Sequence, residues 1–433
     1  MIFYNHFSHF IYIFSHFRSV FPIFHYELLE IIFINDYNND YDVEIQSIFL
    51  YIHFFLLLLE KKTERQVFMA GSTLGRHFSI TTWGESHGKA IGVVVDGVPA
   101  GLSLNEDDLA LYLNRRRPGS NAYGTKRNEA DAPEILSGIF EGKTTGTPIS
   151  IMIRNTSQIS RDYSNIASVY RPGHADYTFD EKYGFRDYRG GGRSSGRETI
   201  GRVAAGAIAA KILKEMGIEV MAYTRAIGPY TATGSAFTLE AVNASAIYMP
   251  DIDTSAKAEA FLQECMVKQD SAGGVVECIV KGMPTGIGEP VFDKLDACLA
   301  KALMSIGAVK AVEIGDGVAV SQYTGSKNND CFYIDNGEIA KKTNHSGGIL
   351  GGMSDGSDII MRAHFKPTPS ISQPQHTVTN TGEDTTIEIH GRHDPIIVPR
   401  AVVVVESMAA ITILDLLMDN MSAKLESLKN FYN

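Results

Sequence analysis

The sequence predicts a single compact unit in which helices and β-sheets pack in layers. Three observations lead there. Strand-like apolar runs alternate with helical ones from residue 90 to near the end of the chain. No solenoid period, coiled coil or low-complexity linker interrupts residues 69–433. A chain of 433 residues with 44% hydrophobic content suffices for one large core or two ordinary domains.

The elements follow in order. Residues 90–96, Ala-Ile-Gly-Val-Val-Val-Asp, read as a buried strand. Ser103-Leu-Asn-Glu106 has the form of a capping box; it opens a helix that runs toward Arg115 and stops at Pro118-Gly119. Ile149, Ile151 and Ile153 alternate with smaller or polar residues, a strand pattern. Thr199 to Met216 is alanine-rich and helical, with Gly217 as C-cap. Gly274 to Lys281 is a strand, Val291 to Ser305 a helix and Ala308 to Ile314 a strand. Pro399 to Met418 is a long terminal helix. Val95-Asp-Gly-Val-Pro-Ala-Gly-Leu102 echoes Val280-Lys-Gly-Met-Pro-Thr-Gly-Ile287, each after a strand and before a helix. An internal duplication would leave such an echo, and so would chance similarity of two strand–turn units.

Composition narrows the function. A net charge of −11 argues against a general nucleic-acid binder, which would carry a basic face. The 40 glycines cluster, as they do in loops that bring backbone close to a ligand. The four cysteines, Cys265, Cys278, Cys298 and Cys331, form no C-x-x-C pair, so neither a zinc site nor a disulfide framework is indicated. They fit a reduced, cytoplasmic setting.

Residues 1–68 stand apart. Phe, Tyr and Ile crowd them, with eight acidic against four basic residues. Their longest apolar run, Ile48 to Leu59, is broken by His53 and is too short to span a bilayer. No secretory signal or transit-peptide pattern appears. We expect this extension to be translated upstream sequence outside the fold, with the catalytic unit at 69–433. An unusual targeting or membrane-surface segment is the alternative.

Four clusters carry chemistry. Trp83-Gly-Glu-Ser-His87-Gly88 places an imidazole on a tight turn, suited to proton exchange near neutral pH or simply bonded to the turn backbone. Arg171-Pro-Gly-His174-Ala-Asp176 sets a second histidine beside a cation, or else locks a loop through an Arg–Asp pair. Arg189-Gly-Gly-Gly-Arg193-Ser194-Ser195-Gly-Arg197-Glu-Thr199 combines close backbone approach, two hydroxyls, forked donors and a helix start. It is neither a Walker loop nor a dinucleotide fingerprint. The fourth group comprises Asn344-His-Ser-Gly-Gly-Ile-Leu-Gly351-Gly352, Lys366-Pro367-Thr368-Pro369-Ser370 and Gly391-Arg392-His393-Asp394-Pro395. Arginines also crowd positions 115–117, where they complement a helix C-terminus.

Read together and in order, these motifs resemble the chorismate synthase family over residues 69–420. Gly84-Glu-Ser-His-Gly88, Arg171-Pro-Gly-His-Ala-Asp176, Gly192-Arg-Ser-Ser-Gly-Arg-Glu-Thr199 and Arg392-His-Asp-Pro395 are four signatures of that family. Ala302-Leu-Met-Ser-Ile-Gly-Ala-Val-Lys310 and Val312-Glu-Ile-Gly-Asp-Gly317 are similar to its connecting text. The resemblance implies an α+β fold with helices between sheets, a homotetramer, and no nucleic-acid or membrane partner. It also implies conversion of 5-enolpyruvylshikimate 3-phosphate to chorismate and phosphate by trans-1,4 elimination. Reduced FMN would be the cofactor, lending an electron to the substrate and recovering it.

Residue roles are implied in the same way. His87 matches a proton donor near the substrate phosphate, His174 one near the flavin, and Asp394 a proton relay near flavin N5. Arg116, Arg171, Arg197 and Arg392 match arginines holding the substrate's anionic groups. Arg193, Ser194, Ser195, Gly307, Ala308, Gly351, Lys366, Pro367, Thr368, Pro369, Ser370 and Arg392 match FMN-binding positions. Ala122 departs from the family, where many relatives carry another arginine; nearby Lys126 or Arg127 would substitute. Some relatives also reduce flavin with NADPH, and no dinucleotide fingerprint decides that here. The rival readings are a metal-dependent hydrolase built on His87, His174, Asp176, His393 and Asp394, which lacks H-E-x-x-H or similar spacing, and a non-catalytic flavin-binding module.

Overall fold

A computed structural model describes residues 71–119, 123–124, 129–156, 166–234, 237–389 and 394–433, all within one unit, Ala70–Asn433. Strands β1 (Thr73–Leu74), β2 (Ser79–Gly84) and β3 (Ala90–Asp96) come first, then helix α1 (Glu106–Arg116). Strands β4 (Pro133–Ile135) and β5 (Ile149–Arg154) complete an antiparallel sheet in the order β1-β2-β3-β5-β4. Helices α2 (Asp176–Tyr183) and α3 (Thr199–Glu215) follow.

The second sheet is also antiparallel. It holds β6 (Glu219–Ile227), β7 (Tyr230–Thr231), β8 (Gly274–Lys281), β9 (Val309–Ile314) and β10 (Ile359–Phe365), in the order β9-β10-β8-β6-β7. Interleaved are α4 (Ile252–Val267) after β7 and α5 (Leu295–Met304) after β8; α6 (Val398–Asp419) and α7 (Leu425–Tyr432) close the chain.

Helices α1, α3, α5 and α6 lie between the sheets. Helix α3 packs on β2 and β3, α6 packs on β6 and β8, and the two helices pack on each other. Gly206 makes that crossing close, because a Cβ there would sit 2.2 Å from the Cβ of Ser407. Helix α6 is long and apolar enough to cross a membrane, yet 83% of its most apolar window is buried in this core. The expected layered α+β fold is observed.

The echo at 95–102 and 280–287 has a structural counterpart. In each half the chain makes two strands, a helix, two strands and a helix: β2, β3, α1, β4, β5, α3 and then β6, β8, α5, β9, β10, α6. In each half the sheet order is first, second, fourth, third. The turns also match: Gly97 and Gly101 have φ of 81° and 94°, and Gly282 and Gly286 have 78° and 95°. A Cβ at Gly97 would strike His77 O, and one at Gly282 would strike Gly217 O, the backbone just before β2 and β6 respectively.

Two expectations need correction. The capping box at α1 is Asn105 with Asp108, not Ser103 with Glu106: Asn105 Oδ1 accepts from Asp108 N and Asp108 Oδ2 from Asn105 N. Helix α5 begins at Leu295 rather than Val291; Val291 and Phe292 are exposed in the preceding loop, so their apolar character does not mark a helix face.

Candidate active site

The predicted residues gather where α3 and α6 begin. The connections β5–α3 and β10–α6, equivalent in the two halves, supply most of them. Two helix N-termini at one end bias it toward anions.

Arg116, at the end of α1, is buried there with 1% of its surface exposed. Its Nη1 donates to Asp131 Oδ2 at 2.9 Å and its Nη2 to Gly196 O at 3.3 Å. Arg197 Nη1 donates to Glu129 Oε2 at 2.5 Å and to Asp131 Oδ1 at 3.2 Å. Asn155 Oδ1 takes Arg197 Nε and Nη2 at 3.2 and 2.9 Å. Arg400 Nε donates to Arg116 O at 3.0 Å, and Arg400 Nη1 to Asp394 Oδ2 at 2.6 Å. Burial and the neighbouring guanidiniums of Arg400 and Arg197 bring the Arg116 pKa down to about 9, against the pull of Asp131. Three arginines and three carboxylates thus form one largely buried cluster.

His87 joins this group through backbone. Asn155 Nδ2 donates to Glu85 O and Gly88 O, tying the histidine turn to the acceptor of Arg197. The imidazole rests on Gly190: an added Cβ there would lie 2.1 Å from His87 Cε1. Gly190 has φ of 71°. Ser86 Oγ lies 3.2 Å from His87 Nδ1 and donates to Gly190 O at 3.1 Å. The first and third motifs are therefore one structural unit.

The second motif packs instead on 366–370. His174 Nδ1 is 3.0 Å from Pro172 O and its Nε2 2.8 Å from Ser370 Oγ. This suits a neutral ring with the proton on Nδ1. Burial, then the positive charges of Arg171 and Lys366, push its pKa down to about 4, although Pro172 O and Asp176 oppose them. Lys366 Nζ donates to Gly173 O at 2.7 Å, and burial depresses its pKa. Lys366 N donates to Ala308 O, bringing Gly307 and Ala308 alongside. Ser271 Oγ donates to Thr368 O and Ala272 N to Pro395 O, which joins this loop to the Asp394 segment. A cavity of about 320 Å³ lies between the His87 turn, α2 and the glycine-rich loop, lined by Glu85, Asp176, Phe179, Arg186, Gly191 and Arg193.

Several residues are placed differently from expectation. Arg171 forks onto Asp176, with Nε 2.8 Å and Nη2 2.7 Å from its oxygens, so the loop-locking reading describes what Arg171 does here. Burial alone would raise the Asp176 pKa, but these bonds lower it. Arg193 turns inward, donating to Gly84 O, Thr82 O, Thr82 Oγ1 and Ser72 Oγ. Ser194 Oγ donates to Gly191 O on an exposed turn, and Ser195 Oγ accepts from Arg197 N. Gly351 lies on a hairpin against the N-terminus of α5, at the β10 end opposite Lys366, roughly 20 Å away at ~3.3 Å per strand residue. One chain alone does not bring it to the other residues. Asp394 pairs with Arg400; Arg392, together with Ala122, Lys126, Arg127 and His393, falls outside the described residues. Of the Arg115–Arg117 run, Arg115 is structural, forked onto Glu406 of α6.

Sequence reasoning missed Glu129, Asp131, Asn155 and Arg400. The signal for Arg400 was a cation in the first turn of a helix, where the dipole disfavours it. Asp131 carries φ of 46°, outside what a sequence displays.

The family described as chorismate synthase matches residues 78–418. A chorismate synthase of Lachnoclostridium phytofermentans is 63% identical over 365 residues, covering 84% of this chain and 100% of its own. One from Agathobacter rectalis is 61% identical over 364 residues, covering 84% and 99%. A crystal structure of chorismate synthase is 30% identical, with a TM-score of 0.65, covering 83% of this chain and 97% of that one.

Proposed function

The chain belongs to the chorismate synthase family, and on that premise we propose that it converts 5-enolpyruvylshikimate 3-phosphate to chorismate and phosphate at the arginine end of the sandwich, with reduced FMN. The observation that carries this reading is the buried Arg116–Asp131–Arg197 cluster beside His87. A substrate with two carboxylates and a phosphate needs convergent forked donors. The family assignment replaces the hydrolase and passive-binder alternatives.

The 366–370 loop fits a flavin. Thr368 Oγ1 is buried with no hydrogen-bond partner among the described residues, and Lys366 adds a cation beside it. Lys366, Thr368, Ser370 and the Gly307–Ala308 backbone would hold the cofactor from one side, with Arg392 completing it. Reduced FMN bound there would supply a transient electron for a reaction that is redox-neutral overall. Arg116 and Arg197 orient the substrate's anionic groups. His87 gives a proton to the leaving phosphate. Asp394 accepts the hydrogen lost from carbon as a proton. His174 is neutral in the geometry described, so it acts first as an acceptor at Nε2; an anion next to it raises its pKa and makes it a donor.

A second copy completes the picture. Gly351 sits at the wrong end of β10 to serve the same flavin within one chain. The hairpin Phe332–Asp335 with Glu338–Lys341 leaves Phe332, Ile334 and Ile339 exposed. Both support a homotetramer in which subunits share sites. We place the enzyme in the cytoplasm and treat residues 69–433 as the catalytic unit. The test is phosphate release under anaerobic conditions. Release that requires reduced FMN and survives a chelator supports the reading; release with oxidised FMN, or release abolished by the chelator, sinks it.

A further inference from the structure

We propose that Asp131 is a positioning residue for the reaction: its carboxylate fixes the spacing of the two guanidiniums that receive the substrate's anionic groups. The inference rests on the functional reading above. Asp131 Oδ2 accepts from Arg116 at 2.9 Å and Oδ1 from Arg197 at 3.2 Å, so one carboxylate spans two cations from different elements. Its side chain is 1% exposed, and those of Arg116 and Arg197 are 2% and 6% exposed. Two buried guanidiniums with nothing between them repel each other and separate.

The bridge is also held from behind. Asp131 lies two residues before β4, and the proline at 133 restricts the intervening residue to extended backbone. The left-handed φ of 46° is uncommon for a side-chain-bearing residue and persists only where its surroundings over-determine it. Glu129, two residues earlier, takes the remaining charge of Arg197 at 2.5 Å. Arg197 thereby has Nε, Nη1 and Nη2 all engaged by Asn155, Asp131 and Glu129. Among the described residues Arg116 is bonded only to Asp131 and Gly196 O, so of the two guanidiniums it keeps the more donor capacity for the ligand. Asp131 thus acts through the arginines and does not touch the reacting atoms.

The left-handed backbone permits a clean perturbation. Asp131→Gly removes the carboxylate at a conformation glycine adopts readily, leaving room for a small carboxylate from solution. In the anaerobic assay with reduced FMN, KM for the substrate should rise about tenfold to a hundredfold, the loss expected of charge-assisted bonds. Flavin affinity should stay within about twofold, and formate should restore KM in the variant but not alter wild type. Asp131→Asn keeps one acceptor but loses the bridge, and should fall between. Unchanged KM in a folded variant, or formate restoring thermal stability without restoring KM, would make Asp131 a structural counter-ion and overturn the proposal. Failure of both variants to fold would overturn it in the same way. Arg197→Ala separates the two claims: if that variant binds substrate normally, the site reading fails rather than the role of Asp131.

Discussion

Gly190→Ala isolates the placement of His87. An added Cβ would lie 2.1 Å from His87 Cε1, 2.2 Å from Nδ1 and 2.9 Å from Ser86 Oγ. Carbon atoms rest at about 3.5–4.0 Å, so the ring must retreat by more than ~1 Å. The backbone adds a cost, since φ of 71° in a residue with a side chain is unfavourable by roughly 1–2 kcal/mol. The fold tolerates that, but a 1 Å misplacement of a catalytic group costs about 10²-fold in rate. Turnover should therefore fall about a hundredfold, close to the ~10²–10⁴-fold expected for His87→Ala. The assay is anaerobic turnover with reduced FMN, with circular dichroism and flavin titration confirming fold and cofactor binding. Because both changes act through one imidazole, the double variant should be little worse than His87→Ala alone. Near-wild-type turnover by Gly190→Ala, or effects that simply multiply, would refute the coupling of the two loops.

Two further outcomes follow from other parts of the structure. His174 has its pKa lowered from 6.5 to about 4, so the unfolded chain binds more protons between those values and stability falls as pH drops through that window. His174→Gln should shrink the loss of unfolding free energy between pH 7 and pH 5 by up to roughly 2 kcal/mol in urea titrations; an unchanged pH slope would mean that the ring titrates normally. Protein beginning at Met69 should fold and turn over at least as well as the full chain, and loss of flavin binding on truncation would make residues 1–68 part of the functional unit.

Much of the fold was legible because its periodicities were local. Strand Ala90–Asp96 and helix Val398–Asp419 are apolar runs whose burial needs no partner identity to infer. Strand Glu219–Ile227 was not, because Thr224 is buried by a tertiary bond to Ile247 O and Arg225 reaches Gly234 O, contacts that sequence spacing does not carry. The site divides in the same way. His87, His174 and Arg197 announce themselves by glycine neighbours, since close backbone approach is written into composition. Glu129, Asp131, Asn155 and Arg400 do not, because their meaning lies in pairings with groups from distant stretches: Asp131 with Arg116 and Arg197, Glu129 and Asn155 with Arg197, Arg400 with Arg116 O. The fate of Arg193 was equally invisible: only the sheet edge at Thr82 and Gly84 shows where its donors go.

The central claim is that the elimination runs at the end of the sandwich where Asp394, His87 and the arginine pair converge. Asp394 accepts from Arg400 at 2.6 Å, and asparagine preserves its size and one acceptor while removing the charge. The most direct measurement is an anaerobic single turnover of wild type and Asp394→Asn with reduced FMN already bound, following phosphate release and loss of the carbon-bound hydrogen. The account predicts that the variant still binds flavin and substrate, while both events slow sharply. Equal rates in the two proteins would remove Asp394 from the reaction and contradict the placement of the chemistry.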